Sequence, residues 1–306
     1  MKRTAIVSVM VVTCVLLAAP ALSWAGQVVT GEVKAWARQA LEQEAALVSA
    51  PAPNTLAVLY FHNTTGSAQL DPLQKGLAFM LMTDLSKLEQ LQLVERVKLQ
   101  ALVDELDLGI SGLVDTDTAP RVGRLLQATY VVGGNLSKAQ EAELAILSDM
   151  LKVPDESVIG NPETRGMLDQ IFALEKELLF QIIEILKVEL TPEEKIELEK
   201  PLTTDLDALF SLFRAMDSSD KGNYRRAEIL YKKALGKDPA LSPARDALDE
   251  LTRLNLIGPR DRSTALMGSI QESTSNTSSL TTRDTELRSG DLLRRGSLTG
   301  DILVQW

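Results

Sequence analysis

Cysteine and histidine are almost absent from this chain, which has one of each, Cys14 and His62, among 306 residues. A disulfide framework is excluded. One Cys and one His cannot supply the usual nitrogen and sulfur ligands of a zinc site, and no Cys/His pair or Ser/His/Asp set can be assembled unless His62 serves in it. Basic residues are in deficit, 32 Lys and Arg against 42 Asp and Glu, a net charge of -10. That balance argues against a nucleic-acid binder held by phosphate neutralisation. Aromatic residues make up only 4% of a chain that is nonetheless 45% hydrophobic, which is a globular rather than a disordered composition. The composition leans towards a protein without catalysis.

The amino terminus reads as an address. Lys2 and Arg3 precede an apolar stretch from Ala5 to Ala19, Pro20 breaks it, and Ser23-Trp24-Ala25 places small residues at the -3 and -1 positions of a cleavage site. This is the pattern of a secretory signal cut after Ala25. The alternatives are an uncleaved anchor, since Thr4 to Trp24 is long enough to span a bilayer, and lipidation at Cys14, against which Val11-Val12-Thr13 is a poor lipobox.

The exported part alternates helix and strand. Val33, Trp36, Ala37, Ala40, Leu41, Ala45 and Val48 recur at helical spacing, so 31–48 is expected as an amphipathic helix stopped by Pro51 and Pro53. Thr55 to Phe61 (TLAVLYF) is a short apolar run that predicts a buried central strand ending in a turn at His62 to Gly66. Asp71-Pro72 opens a helix with an apolar stripe from Leu73 to Leu88, in which Gly76 lets a neighbour approach closely. Leu91 to Glu95 predicts a second strand, Lys98 to Leu108 a helix ended by Gly109 to Gly112, and Asp117 or Thr118 caps a short helix. Thr129 to Val132 predicts a third strand closing at Gly133-Gly134.

Residues 142–160 fit a hairpin turning at Pro154 to Glu156, although the same letters permit a helix up to Leu151. Gly166 to Val188 reads as a long helix buried on more than one side, and Thr191-Pro192 as a helix start. Three short helices follow from Asp205 to Leu256, punctuated by Lys221 to Asn223 and by Asp238-Pro239. In 263–285, twelve of 23 residues are Ser or Thr, so the tail is expected to be disordered. Its 259–306 segment balances six Arg with six acidic residues, which leaves the excess negative charge on the rest of the chain.

Leu56 to Phe61, Gly76-Leu77 with Leu81 to Leu85, Leu93-Val-Glu95-Arg96, Leu102 to Leu106 and Leu125 to Gly133 together resemble the envelope superfamily that includes the curli-assembly protein CsgG, periplasmic lipoprotein activators of penicillin-binding proteins and the amino-terminal domain of TolB. Val94-Glu95-Arg96 and the helix after it are the most specific part. Gln127 stands where that pattern usually has Gly. Further on, Gly222-Asn-Tyr224, Ala227, Tyr231, Ala234 and Asp238-Pro239 resemble one tetratricopeptide (TPR) repeat, with Ala215 in its first helix and no second copy. A single repeat must pack on the preceding domain or on a partner.

These resemblances imply an α+β fold, a three-layer-like mixed sheet with flanking helices, followed by a small all-α TPR-like module and a disordered tail. The expected segments are a signal peptide (1–25), an amphipathic helix (26–50), the CsgG/TolB-like domain (55–190), the TPR-like module (191–258) and the tail (259–306). The function they imply is non-catalytic: a periplasmic protein that binds other envelope proteins, with no catalytic residue, cofactor, metal or nucleic acid. Homo-oligomers and a peripheral association with the outer membrane stay open. The rival is a subunit of an outer-membrane secretion channel related to the curli exporter, for which only 142–160 could supply membrane strands, and its Asp149, Lys152, Asp155 and Glu156 oppose that.

Three features invite a sharper reading. His62 follows a strand, with Asp71 and Asp84 not far along the chain, but reads as a turn histidine. Glu193, Glu194, Glu197 and Glu199 with Lys195 and Lys200 read as a solvated helix face. Gly133-Gly134 lacks the sequence that would make it a phosphate turn.

Overall fold

A computed structural model describes residues 27–44, 53–114, 118–139 and 143–258. The leader and the Ser/Thr-rich tail lie outside the described residues, as do Ala45 and Val48 of the first expected helix. The described residues up to Leu256 form one compact unit.

The centre of that unit is β1 (Thr55–Asn63), whose first seven residues are all buried. An apolar run with no polar alternation needs cover on both faces, and it has it. Around it lies an open mixed sheet in the order β2 (Gln92–Leu93), β1, β3 (Tyr130–Lys138), β4 (Glu143–Lys152), β5 (Ser157–Gly160), with β6 (Glu163–Met167) pairing the other end of β4. β1 runs parallel to β2 and β3, whereas β4 is antiparallel to β3, β5 and β6. The helices α2 (Pro72–Leu85) and α5 (Ile171–Ile185) pack with each other, α2 against β1 and α5 against β6. The short α4 (Thr118–Leu125) packs against β3, and a 3-10 segment at Ile110–Val114 against β1 and β3. Further out, α1 (Gly31–Glu42) packs on α3 (Arg96–Glu105). With α6 (Pro192–Glu199), α7 (Leu206–Asp220), α8 (Tyr224–Lys237) and α9 (Ser242–Arg253), the described residues hold six strands and nine α-helices. The expected α+β class is the observed one.

The hairpin reading of 142–160 holds. β4 and β5 are joined through a 3-10 turn at Val153–Asp155 and a left-handed Glu156. Three expectations are corrected. The strand of TYVV does not close at Gly133-Gly134 but runs through both to Lys138. A Cβ at Gly134 would fall 2.0 Å from the Leu147 carbonyl oxygen, so the glycine allows close strand pairing rather than a turn. His62 belongs to β1, opposite Asn135, and not to a turn. The long helix begins at Ile171, because Glu163–Met167 is strand β6; Gly166 there would carry a Cβ 2.9 Å from the Leu174 side chain.

Gln127 explains its own departure from the family pattern. It has φ of 53°, and it ends α4 with its N–H donating to the Arg124 carbonyl while the Ala128 N–H donates to the Gly123 carbonyl, both at 2.9 Å. This left-handed helix terminus is the position where Gly carries no Cβ penalty. Gln127→Gly is expected to raise stability by about 0.5–1 kcal/mol, read as a Tm increase of a few degrees in a thermal melt.

Candidate functional site

The most concentrated chemistry in the described structure is a buried polar junction where α7 meets the sheet domain. Arg96 opens α3 and is buried. Its Nη1 donates to both oxygens of Asp220, the last residue of α7, at 3.0 and 2.9 Å, and its Nη2 to the Gln27 carbonyl at 2.7 Å. Lys75, inside the apolar stripe of α2, donates to Asp220 Oδ2 at 2.8 Å and lies 3.3 Å from Asp217. The Tyr60 hydroxyl of β1 donates to Gln100 Oε1 at 3.0 Å, and Gln100 Nε2 donates to Asp104 at 2.8 Å. The Lys75 ammonium lies 5.6 Å from the centre of the Tyr60 ring, within cation–π range. The Gln27 N–H donates to Glu250 of α9, which draws the amino-terminal segment into the same network.

Two cations and one fully enclosed carboxylate thus share the junction, with Asp217 at its rim. Burial alone would lower the Arg96 pKa, but the facing Asp220 carboxylate outweighs it and holds the guanidinium charged. Burial pushes the phenols of Tyr60 and Tyr231 up, so both stay protonated. The Arg96 Nε, the Ser219 hydroxyl and the Tyr231 hydroxyl find no partner among the described residues. Apolar packing continues the junction. Phe213 of α7 lies directly over Gly76 of α2, where a Cβ would come within 2.1 Å of its ring. Gly76 was expected to admit a close neighbour, and that neighbour is α7.

A second buried cluster joins α2 to α5. Asp84 accepts from Lys87 at 2.8 Å and from Lys176. Beside them Glu175 is fully buried, its Oε2 3.4 Å from the Lys176 ammonium, and neither of its oxygens accepts a hydrogen bond. Burial first, and the Asp84 carboxylate second, push Glu175 up to about 8 against the opposing pull of Lys176. Unfolded, this carboxyl releases its proton near 4.5. Between those pH values the native state holds the additional proton, so stability falls as pH rises towards 8. Glu175→Gln is expected to remove that slope and to be more stable than the parent above pH 8, measured by urea unfolding across pH.

His62, Asp71 and Asp84 are not brought together. Asp71 accepts from Asn63 Nδ2 at 2.7 Å, and Asp84 is held in the α2/α5 cluster. By strand register, His62 shares a sheet face with Asn135, Leu147 and Glu163, and on that face Leu147, Val158 and Met167 are exposed. Glu194 completes a capping box with Thr191 at the start of α6, and Glu197 pairs with Lys200. No group of three or more metal-capable side chains occurs among the described residues, and no described helix is long and apolar enough to cross a membrane. An open depression of about 510 Å³ beside Gln90, Lys187 and Thr191 carries no such cluster.

The sequence pattern singled out Arg96 but not its partners. Lys75, Asp220 and Glu175 do carry one local signal, a charge set among the apolar positions of a helix.

Residues 39–141 match the family model described as curli production assembly/transport component CsgG. That match takes in β1 to β3 and ends before β4. No curated protein matches the chain. Among solved structures it is similar to the LpoB C-terminal domain from Salmonella enterica, at 18% identity and a TM-score of 0.32 over 44% of this chain and 95% of that one. It is also similar to the LpoB C-terminal domain from Escherichia coli (17%, 0.31, 43% and 97%) and to the solution structure of E. coli LpoB (15%, 0.32, 54% and 81%).

Proposed function

We propose that this is a non-catalytic cell-envelope protein of the periplasm, exported by residues 1–25, which binds other envelope proteins through its CsgG-like domain and a TPR-like helical module over 191–258. The observation that carries the reading is the junction: Arg96, within the family match, holds the carboxyl end of α7 through Asp220. The buried charges are used for internal docking, and the surfaces left over are helix faces and a partly open sheet face. The TPR-like reading of α7 and α8 is supported by the burial of Ala215, Ala227, Tyr231 and Ala234. These residues pack; contact residues would lie on the outer faces. In this reading the lone repeat covers its apolar side with α2 and with α9. The division into 26–50, 55–190, 191–258 and a tail at 259–306 belongs to the same proposal.

The family description as an assembly or transport component favours one rival, a secretion-channel subunit. Against it, β4 and β5 pair within the globular sheet and carry Asp149, Lys152, Asp155 and Glu156 on or beside them. Chemical crosslinking in intact cells, followed by mass spectrometry of what is attached, separates the two. Adducts with a different envelope protein are expected. The absence of any adduct with a different envelope protein would overturn the binding-protein reading.

A further inference from the structure

The two most exposed large apolar side chains of the described structure are Ile229 on α8 and Ile196 on α6, at 68% and 60%. Each stands at the middle of a charged helix face, and the two faces have opposite sign. Around Ile229, Arg225 and Arg226 precede by four and three residues and Lys232 and Lys233 follow by three and four, so all four cations flank it on one side of the helix. The whole of α8 has five cations and a single acid, Glu228. Glu228 is engaged with Arg225 at 3.2 Å and Lys232 at 2.7 Å, and Lys237 pairs with Asp207. Arg226 and Lys233 have no hydrogen bond or ion pair among the described residues, and Lys233 lies near enough to Asp207 to help hold its carboxyl down.

Around Ile196 the sign is reversed but the charge is thinner: Glu193 and Glu199 lie three residues before and after it, Pro192 and Lys200 four before and after, and α6 as a whole carries four Glu and one Lys. Glu197 pairs with Lys200 and Glu194 caps the helix, whereas Glu193 and Glu199 are unpaired among the described residues. Only Leu198 of α6 is buried, so its outer face is free. A basic helix face on a chain of net charge -10 is a local inversion. The two unpaired acids beside Ile196 on the same chain supply its complement.

We infer that copies of this protein associate head to tail, the α8 face of one (Arg226, Ile229, Lys233) seating on the α6 face of the next (Glu193, Ile196, Glu199). The contact is heterologous, each copy presenting one face of each kind, so assembly can continue beyond two. The isoleucines supply the apolar centre and the charges set register and exclude like-with-like pairing. Screening shortens the repulsion between two acidic bodies to about 8 Å at physiological salt, so the local complement decides the contact. This association goes beyond the binding-protein proposal and is independent of it.

Sedimentation equilibrium of the full chain tests it. The average mass is expected to rise with concentration at low salt, with association weakened about tenfold or more on going to 0.5 M NaCl. Two surface variants, Arg226→Glu with Lys233→Glu, and Glu193→Lys with Glu199→Lys, should each be monomeric alone. Mixed, they should associate again, because the first keeps an acidic α6 face, the second keeps a basic α8 face, and the two reversed faces are complementary to each other. That recovered association also shows that both variants are folded. A chain that is monomeric at every concentration, self-association that survives in both variants, or a mixture that stays monomeric would overturn the inference.

Discussion

Replacing Asp220 with alanine is expected to destabilise the protein by about 3–5 kcal/mol, the usual cost of stripping the anion from a buried ion pair. The substitution removes three charge-assisted bonds, two from Arg96 and one from Lys75. It leaves the Arg96 guanidinium enclosed, with only the Gln27 carbonyl and the Tyr60 hydroxyl within reach. Lys75 fares better because Asp217 is 3.3 Å away. The double variant Arg96→Met with Asp220→Leu should recover part of the loss, since the Arg96 and Asp220 charges leave together and Lys75 keeps Asp217. Urea unfolding checks both: the midpoint falls for the single variant and returns for the double one. Equal destabilisation of the two would mean that the junction contributes by shape and not by charge.

Gly76→Ala is expected to destabilise by about 2–3 kcal/mol, against the sign of helix propensity. In an exposed helix this change stabilises by about 1 kcal/mol. Here the added methyl would meet the Phe213 ring carbons at 2.1 to 2.5 Å, and both elements are packed in the core. Phe213→Leu in the Gly76→Ala background should recover part of the loss by making room. A thermal melt with Gly76→Ala at or above the parent would show that α7 does not lie on α2 as described.

The fold was legible where burial writes a strong local pattern. β1 and α2 are covered on several sides, and their sequences hold apolar runs from Leu56 to Phe61 and from Leu77 to Met82, so no partner needs to be known to place them. β6 was not legible for the opposite reason: Glu163 to Met167 is an edge strand with one buried residue, Thr164. A polar, half-solvated strand shows neither alternation nor an apolar run. Gly133-Gly134 misled because glycine marks turns and also close backbone approach, and only the register with β4 distinguishes them. Of the junction, Arg96 stood in the most specific motif. What it binds lies 124 residues further on, and an ion pair across that separation leaves no mark on either local pattern.

The central claim is that the α7 and α8 helices and the CsgG-like sheet domain open and close as one body, so that any partner meets them in a fixed arrangement. Native-state hydrogen exchange on the full chain measures this directly. The account predicts that the most protected amides of 206–237 exchange with the same opening free energy as those of β1 and β3, and that Asp220→Ala lowers the protection of the helices below that of the strands. Helices that already open well below the sheet in the parent protein would contradict it.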